Sequence, residues 1–194
     1  MTDLENTLKR FGRVVSFALH AKIGAFAYFK DGVLLETDTL SVRFGKPSTR
    51  VRRITLPFLI HQLDRFQVHA VLVPDTRPKG SRRRGSEAAK AIAAVTREAL
   101  ARGCAVHVLS TKDVKDELRL PNGKPAKNLA DVNRAVLERF PEMVTRLPRP
   151  RLKAWDTERY STPLFGAVAR YVAWERQPSP MDKRRTVQKV LDEC

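Results

Sequence analysis

Cysteine is scarce: Cys104 and Cys194 are the only two in 194 residues. Neither belongs to a CxxC pair or stands beside clustered histidines, so a disulfide framework or a zinc site does not organise the fold. Long apolar runs are missing too, and none approaches the roughly 18 residues that a membrane-spanning helix needs. Membrane insertion is therefore not expected. The opening residues MTDLENTLKRFGR lack the apolar stretch of a secretory leader, and Asp3 and Glu5 disfavour a transit peptide, which gives a cytoplasmic or nucleoid location as the expectation. Negative charge is also in short supply, with 21 Asp and Glu against 37 Lys and Arg for a formal +16. Such an excess repels itself in a folded chain unless a polyanion relieves it, and nucleic acid is the commonest one. A merely soluble basic surface is the alternative reading.

What is present reads as one α/β domain over residues 1–176, with a basic tail from 177 to 194. Arg13 to Leu19 and Ile23 to Phe29 have the composition of strands, and Asp31-Gly32 is a hairpin turn leading into Val33 to Phe44. Leu56, Leu59, Ile60, Leu63 and Phe66 recur at helical spacing after Thr55. The run Val68 to Val73 is a short, continuously apolar strand of the kind buried on both faces, ended by Pro74-Asp75. An Ala-rich helix from Ser86 to Leu100 and a strand from Cys104 to Leu109 follow. A short helical stretch to Leu118, a Pro-Asn-Gly turn, a helix bearing Leu129, Val132, Val136 and Phe140, a loop, and a last helix from Thr162-Pro163 complete the order. That order predicts a mixed five-stranded sheet with flanking helices, the strand at 68–73 lying parallel to the first strand.

Several segments together carry a resemblance. Thr111-Lys112-Asp113-Val114-Lys115, followed by Asn122-Gly123-Lys124-Pro125-Ala126-Lys127 and a helix, is similar to a lysine-bearing segment of the RuvC branch of the RNase H-like superfamily, the Holliday-junction resolvases. The hairpin with Gly24, the strand ending at Asp75 and the run Leu164 to Ala169 fall in the same order as in that family. The resemblance implies an RNase H-like fold, junction DNA as partner, a homodimer, and a carboxylate cluster holding two divalent metals, usually Mg²⁺.

Carried onto this chain, the first acid of that cluster falls on Phe17, or on Ala18 if the register slips by one. The last acids fall on Gly166 and Pro163. Asp75 matches the acid of the central strand and is the one candidate relic, catalytic or metal-ligating. Asp156 and Glu158 before the final helix, and Glu36 and Asp38 on the third strand, are the candidates for compensation. Asp75 is expected to point into the space beside Phe17 and Gly166.

The basic residues cluster in segments between elements. Arg77, Lys79, Arg82, Arg83 and Arg84 follow Asp75 directly; Lys112, Lys115, Lys124 and Lys127 coincide with the resemblance. These nine are the expected phosphate-contacting residues. Arg43, Lys46, Arg50, Arg52 and Arg53 form a further cluster, as do Arg146, Arg149, Arg151 and Lys153. Trp174 is assigned to helix packing, whereas Trp155 could stack on a base. The expected function is binding of branched or duplex nucleic acid, DNA before RNA, without cleavage and without a cofactor. An active Mg²⁺-dependent junction endonuclease with rearranged ligands is the first alternative. A basic structural subunit of a nucleoprotein complex is the second.

Overall fold

Asp31 and Gly32 take positive φ angles of 53° and 80°, the backbone of the two-residue turn whose twist matches that of paired strands. They join β2 (Ile23–Lys30) to β3 (Val33–Ser41), and β1 (Arg13–His20) pairs antiparallel with β2 on its other side. The computed structural model describes residues 12–20, 23–41, 57, 60–75, 87–146 and 161–177. After a helix over 60–66 (α1), β4 (Ala70–Pro74) pairs parallel with β1, and β5 (Ala105–Leu109) pairs parallel with β4. The order β3-β2-β1-β4-β5 is the mixed sheet expected from the sequence. The strand expected from Val68 is assigned from Ala70, although His69 already bonds to both neighbours, its N–H donating to Arg13 O and its carbonyl accepting from Ala105 N–H, each at 2.8 Å; Val68 N–H turns back to Leu63 O at 3.5 Å.

Helices cover both faces. Leu63 of α1 and Ile92, Val95 and Ala99 of α2 (Glu87–Ala101) pack on Val15, Phe17, Phe26, Tyr28, Val71 and Val73. The opposite face, with Val14, Ala18, Ala25, Ala27, Phe29, Ala70 and Leu72, is covered by α3 (Thr111–Glu117), α4 (Leu129–Arg139) and α5 (Ser161–Arg176). Strands buried on both sides explain the continuous apolar runs that replace polar alternation here. Phe29 stacks on Tyr171 with centroids 3.6 Å apart, and Phe140 flanks it at 5.5 Å. Trp174 is buried in the same layer, in the packing role expected of it.

Two local expectations are corrected. Leu129, placed on the buried stripe of α4 by its spacing, is 49 % exposed, because it is the first residue of the helix and precedes the turn that meets the core. The stretch after Pro141, expected as loop, is a 3-10 helix over Pro141–Arg146 that buries Met143; proline is well tolerated at a helix start.

Ser110 opens α3 with a reciprocal cap, its Oγ accepting from Asp113 N–H at 3.1 Å while Asp113 Oδ2 accepts from Ser110 N–H at 3.0 Å. Ser110→Ala removes one of these partners and is expected to cost about 1 kcal/mol. Denaturant unfolding reads this directly, and an unchanged midpoint would show the cap to be dispensable.

Candidate nucleic-acid interface

The ladder between β1 and β4 runs only from Val14/Ala70 to Ser16/Leu72, while β4 stays paired with β5 as far as Pro74/Leu109. Beyond Ser16 the two central parallel strands part. A crevice of this kind, at the carboxyl ends of strands whose connections leave in different directions, is where α/β sheets place their ligands.

α5 packs on β1 and β2, on the β1 side of this split, running antiparallel to β1. At its amino end a Cβ built on Gly166 would sit 3.8 Å from the Ala18 Cβ. One residue on, Ser16 Oγ donates to Ala167 O at 2.7 Å. At its carboxyl end Glu175 Oε1 accepts from Arg139 Nη2 at 3.0 Å, and that same Nη2 donates to Gly32 O, at the opposite end of the sheet, at 3.2 Å.

Strand alternation separates residues expected to meet. Val14 and Ala18 face α5 while Val15 and Phe17 face α2, so Phe17 and Gly166 lie on opposite faces and cannot border one space. Ala18 is the β1 residue that faces Gly166, and a slip of one residue is a change of face. On β4 the same rule puts Leu72 with α5 and Val73 with α2. Asp75 N–H donates to Leu109 O at 3.0 Å, which continues the extended backbone past the strand. The alternation carried to that point gives Pro74 the Gly166 side and Asp75 the Phe17 side.

Glu36 and Asp38 are also placed away from the crevice. A bulge between Tyr28 and Phe29 pairs Glu36 with Tyr28 and Asp38 with Phe26, the α1 side of edge strand β3. Three strand spacings separate β3 from β4, about 14 Å. Glu36 Oε1 accepts from Arg65 Nη1 of α1 at 2.7 Å, and Asp38 Oδ1 accepts from Thr39 N–H at 2.7 Å. Neither carboxylate compensates for a missing ligand at the crevice. Asp156 and Glu158 lie outside the described residues.

Sequence reasoning missed a central residue. Arg170, one turn beyond Gly166 on α5, is only 7 % exposed. Its Nη1 donates to Phe17 O, the first β1 carbonyl past the β1–β4 ladder. Its Nε is buried without a partner, and among the described residues no carboxylate pairs with it. Burial pushes its pKa down from the usual arginine range to about 10, so the guanidinium keeps its charge at neutral pH. The signal was in the sequence, since it is the one charge within the run Leu164 to Trp174.

A divalent ion does not fit this set. Magnesium needs hard oxygen ligands, whereas Ala18, Pro74, Pro163 and Gly166 have no side-chain oxygen and Arg170 adds a buried positive charge at the Phe17 carbonyl, next to Ala18. Among the described residues no three His, Cys, Asp or Glu side chains gather as a metal site would require.

The lysine group begins at the same edge, because Ser110 follows Leu109, the partner of Pro74. Lys115 Nζ donates to Lys127 O at 3.1 Å, tying α3 to the strand-like turn that holds Lys124. Lys112 is exposed, but its ammonium donates to Asp116 Oδ2 at 2.7 Å and is held above its usual pKa by that carboxylate. Residues 111–131 carry five basic and four acidic side chains, so this face is mixed rather than strongly positive. Arg77, Lys79, Arg82, Arg83 and Arg84 lie outside the described residues.

The positive charge resides in other segments. The described residues carry 16 Lys and Arg against 14 Asp and Glu, leaving +14 of the formal +16 to the rest of the chain. Segment 42–56 leaves from Ser41, which pairs with Ile23 at the end where β1 also finishes. Segment 76–86 leaves after Asp75, and segment 147–160 enters α5, whose amino end meets Ala18. The first two each hold five basic residues and no acid, and the third holds four basic residues and two acids. All three attach at the edge that carries the crevice.

Neither a protein-family model nor a curated protein sequence matches the chain. Solved structures do. The Thermus thermophilus RuvC structure superposes with a TM-score of 0.60 at 20 % identity, covering 83 % of this chain and 92 % of that one. T. thermophilus RuvC in complex with a Holliday junction substrate gives 0.61 at 19 %, covering 84 % and 91 %. The yeast mitochondrial Holliday junction resolvase Ydc2 gives 0.54 at 12 %, covering 98 % and 86 %. With sheet order, helical layers and these superpositions in agreement, the protein has the RuvC form of the RNase H-like fold.

Proposed function

We propose that this chain binds branched or duplex DNA through its phosphates and does not cleave it. The observation that carries the reading is a contrast at one sheet edge: side chains facing each other across the crevice lack metal-binding oxygens, while basic segments attach around it. Phosphate contacts need only cations and backbone N–H groups, and those are plentiful here; two-metal hydrolysis needs converging carboxylates, and those are not among the described residues. The likeness to a RuvC bound to a Holliday junction supports DNA, and branched DNA in particular, as the partner.

The test is incubation of the full chain with four-way-junction DNA and Mg²⁺ or Mn²⁺, scoring both mobility shift and strand cleavage. A shift without cleavage is the expected result. Asp75→Asn should leave affinity unchanged or slightly raised, because it removes one negative charge near the phosphates. Metal-dependent cleavage that disappears with Asp75→Asn would establish the endonuclease reading instead. Equal affinity for junction, duplex and structured RNA would favour the basic-subunit reading.

A further inference from the structure

We propose that the Arg170 guanidinium is a built-in anion site that takes one backbone phosphate of bound DNA at the split between β1 and β4. The inference rests on the DNA-binding reading and says where in the fold one contact is made.

An arginine buried this deeply is ordinarily matched to a carboxylate, because an unpaired charge in a protein interior is expensive. Arg170 instead gives one hydrogen bond, to the Phe17 carbonyl, and leaves Nε without an acceptor. Two of the smallest side chains stand around it. Helical side chains lean toward the helix amino end, so the head of Arg170 lies back toward Gly166, and Phe17 O is adjacent to Ala18. Gly166, one turn before Arg170, adds no side chain, and a Cβ there would find only the Ala18 Cβ, at 3.8 Å. Ser16, the nearest hydroxyl on this face of β1, is already committed to Ala167 O at 2.7 Å and does not serve as a partner. What remains is a fixed cation with spare donors, near small residues, at the sheet edge where the basic segments attach. An anion completes it, and phosphate suits the planar fork of arginine.

The test compares the unaltered chain with Arg170→Met, Arg170→Lys and Gly166→Asp on four-way-junction DNA in EDTA, across a salt series, with circular dichroism and melting temperature measured for each. Arg170→Met should bind about tenfold to a hundredfold more weakly, with a log–log salt slope shallower by about 0.9. Its melting temperature should hold or rise, because an unpaired buried charge has been replaced by an apolar side chain of similar reach. Arg170→Lys should regain part of the affinity. Gly166→Asp places a carboxylate beside the guanidinium and should lose affinity to a similar extent.

Unchanged affinity in Arg170→Met and Gly166→Asp, with the unaltered chain binding normally, overturns the phosphate site and leaves the DNA-binding reading standing. Failure of the unaltered chain to bind DNA overturns both. A lowered melting temperature with unchanged affinity shows Arg170 to be structural and likewise overturns the site. Should Arg170→Met fail to fold, Gly166→Asp alone decides: folded and binding normally, it overturns the site.

Discussion

Replacing Arg82, Arg83 and Arg84 together with alanine is expected to weaken binding to duplex or four-way-junction DNA about a hundredfold at 0.15 M salt. The log–log salt slope should become shallower by roughly 2.7, at about 0.9 per phosphate no longer neutralised. The loss should be the same on unrelated sequences, because phosphate contacts position a protein without reading bases. The expectation is this large because the described residues are close to electroneutral, with 16 basic against 14 acidic. Long-range attraction for a polyanion must come from the remaining +14, and segment 76–86 supplies five of those charges with no acid among them. A titration at four salt concentrations checks both quantities. Binding insensitive to salt would remove charge as the basis of recognition, and a loss confined to one sequence would point to base contacts.

Phe29→Ala should lose about 3 to 5 kcal/mol of folding stability. Phe29 is fully buried, stacks on Tyr171 at 3.6 Å and touches Phe140 at 5.5 Å, so its removal leaves a cavity between β2, α4 and α5. Domains of this kind are stable by only about 5 to 15 kcal/mol, and for a chain of this length the melting temperature should fall by roughly 10 °C or more. Val33, in the same hairpin but 56 % exposed, gives the contrast: Val33→Ser should change stability by no more than about 0.5 kcal/mol. Chemical denaturation of the three proteins measures both differences. Equal midpoints for the unaltered chain and Phe29→Ala would mean that the ring stack does not hold α5 on the sheet.

The sequence made the element order legible because local chemistry specifies it. Asp31-Gly32 accepts positive φ where most pairs resist it, the Val132, Val136 and Phe140 spacing marks one face of a helix, and the run Val71 to Val73 is too apolar for an exposed strand. The 3-10 turn after Pro141 was not legible, since it forms by burying Met143 in the core beside α4, and which side chains after a helix-ending proline are buried depends on how that helix seats on the sheet.

The layout of the crevice depended on something no local pattern encodes. Both faces of β1 and β4 are covered by helices, so Phe17 and Ala18 are equally apolar and the sequence gives no sign of which one meets α5. Only packing decided that Ala18 faces Gly166 while Phe17 joins Ile92 and Val95 under α2, and that the alternation gives Asp75 the Phe17 side. Arg170 shows the same division. The chain announces a charge inside an apolar helix, but whether it reaches solvent, pairs with an acid or stays buried against a β1 carbonyl depends on where α5 lands. Composition and turn chemistry therefore determined the mixed sheet and its helices, and the charge excess raised the expectation of a polyanionic partner. Tertiary structure decided which residues share a face, because a side chain's partners across a two-sided sheet are set by long-range packing and not by its neighbours in the chain.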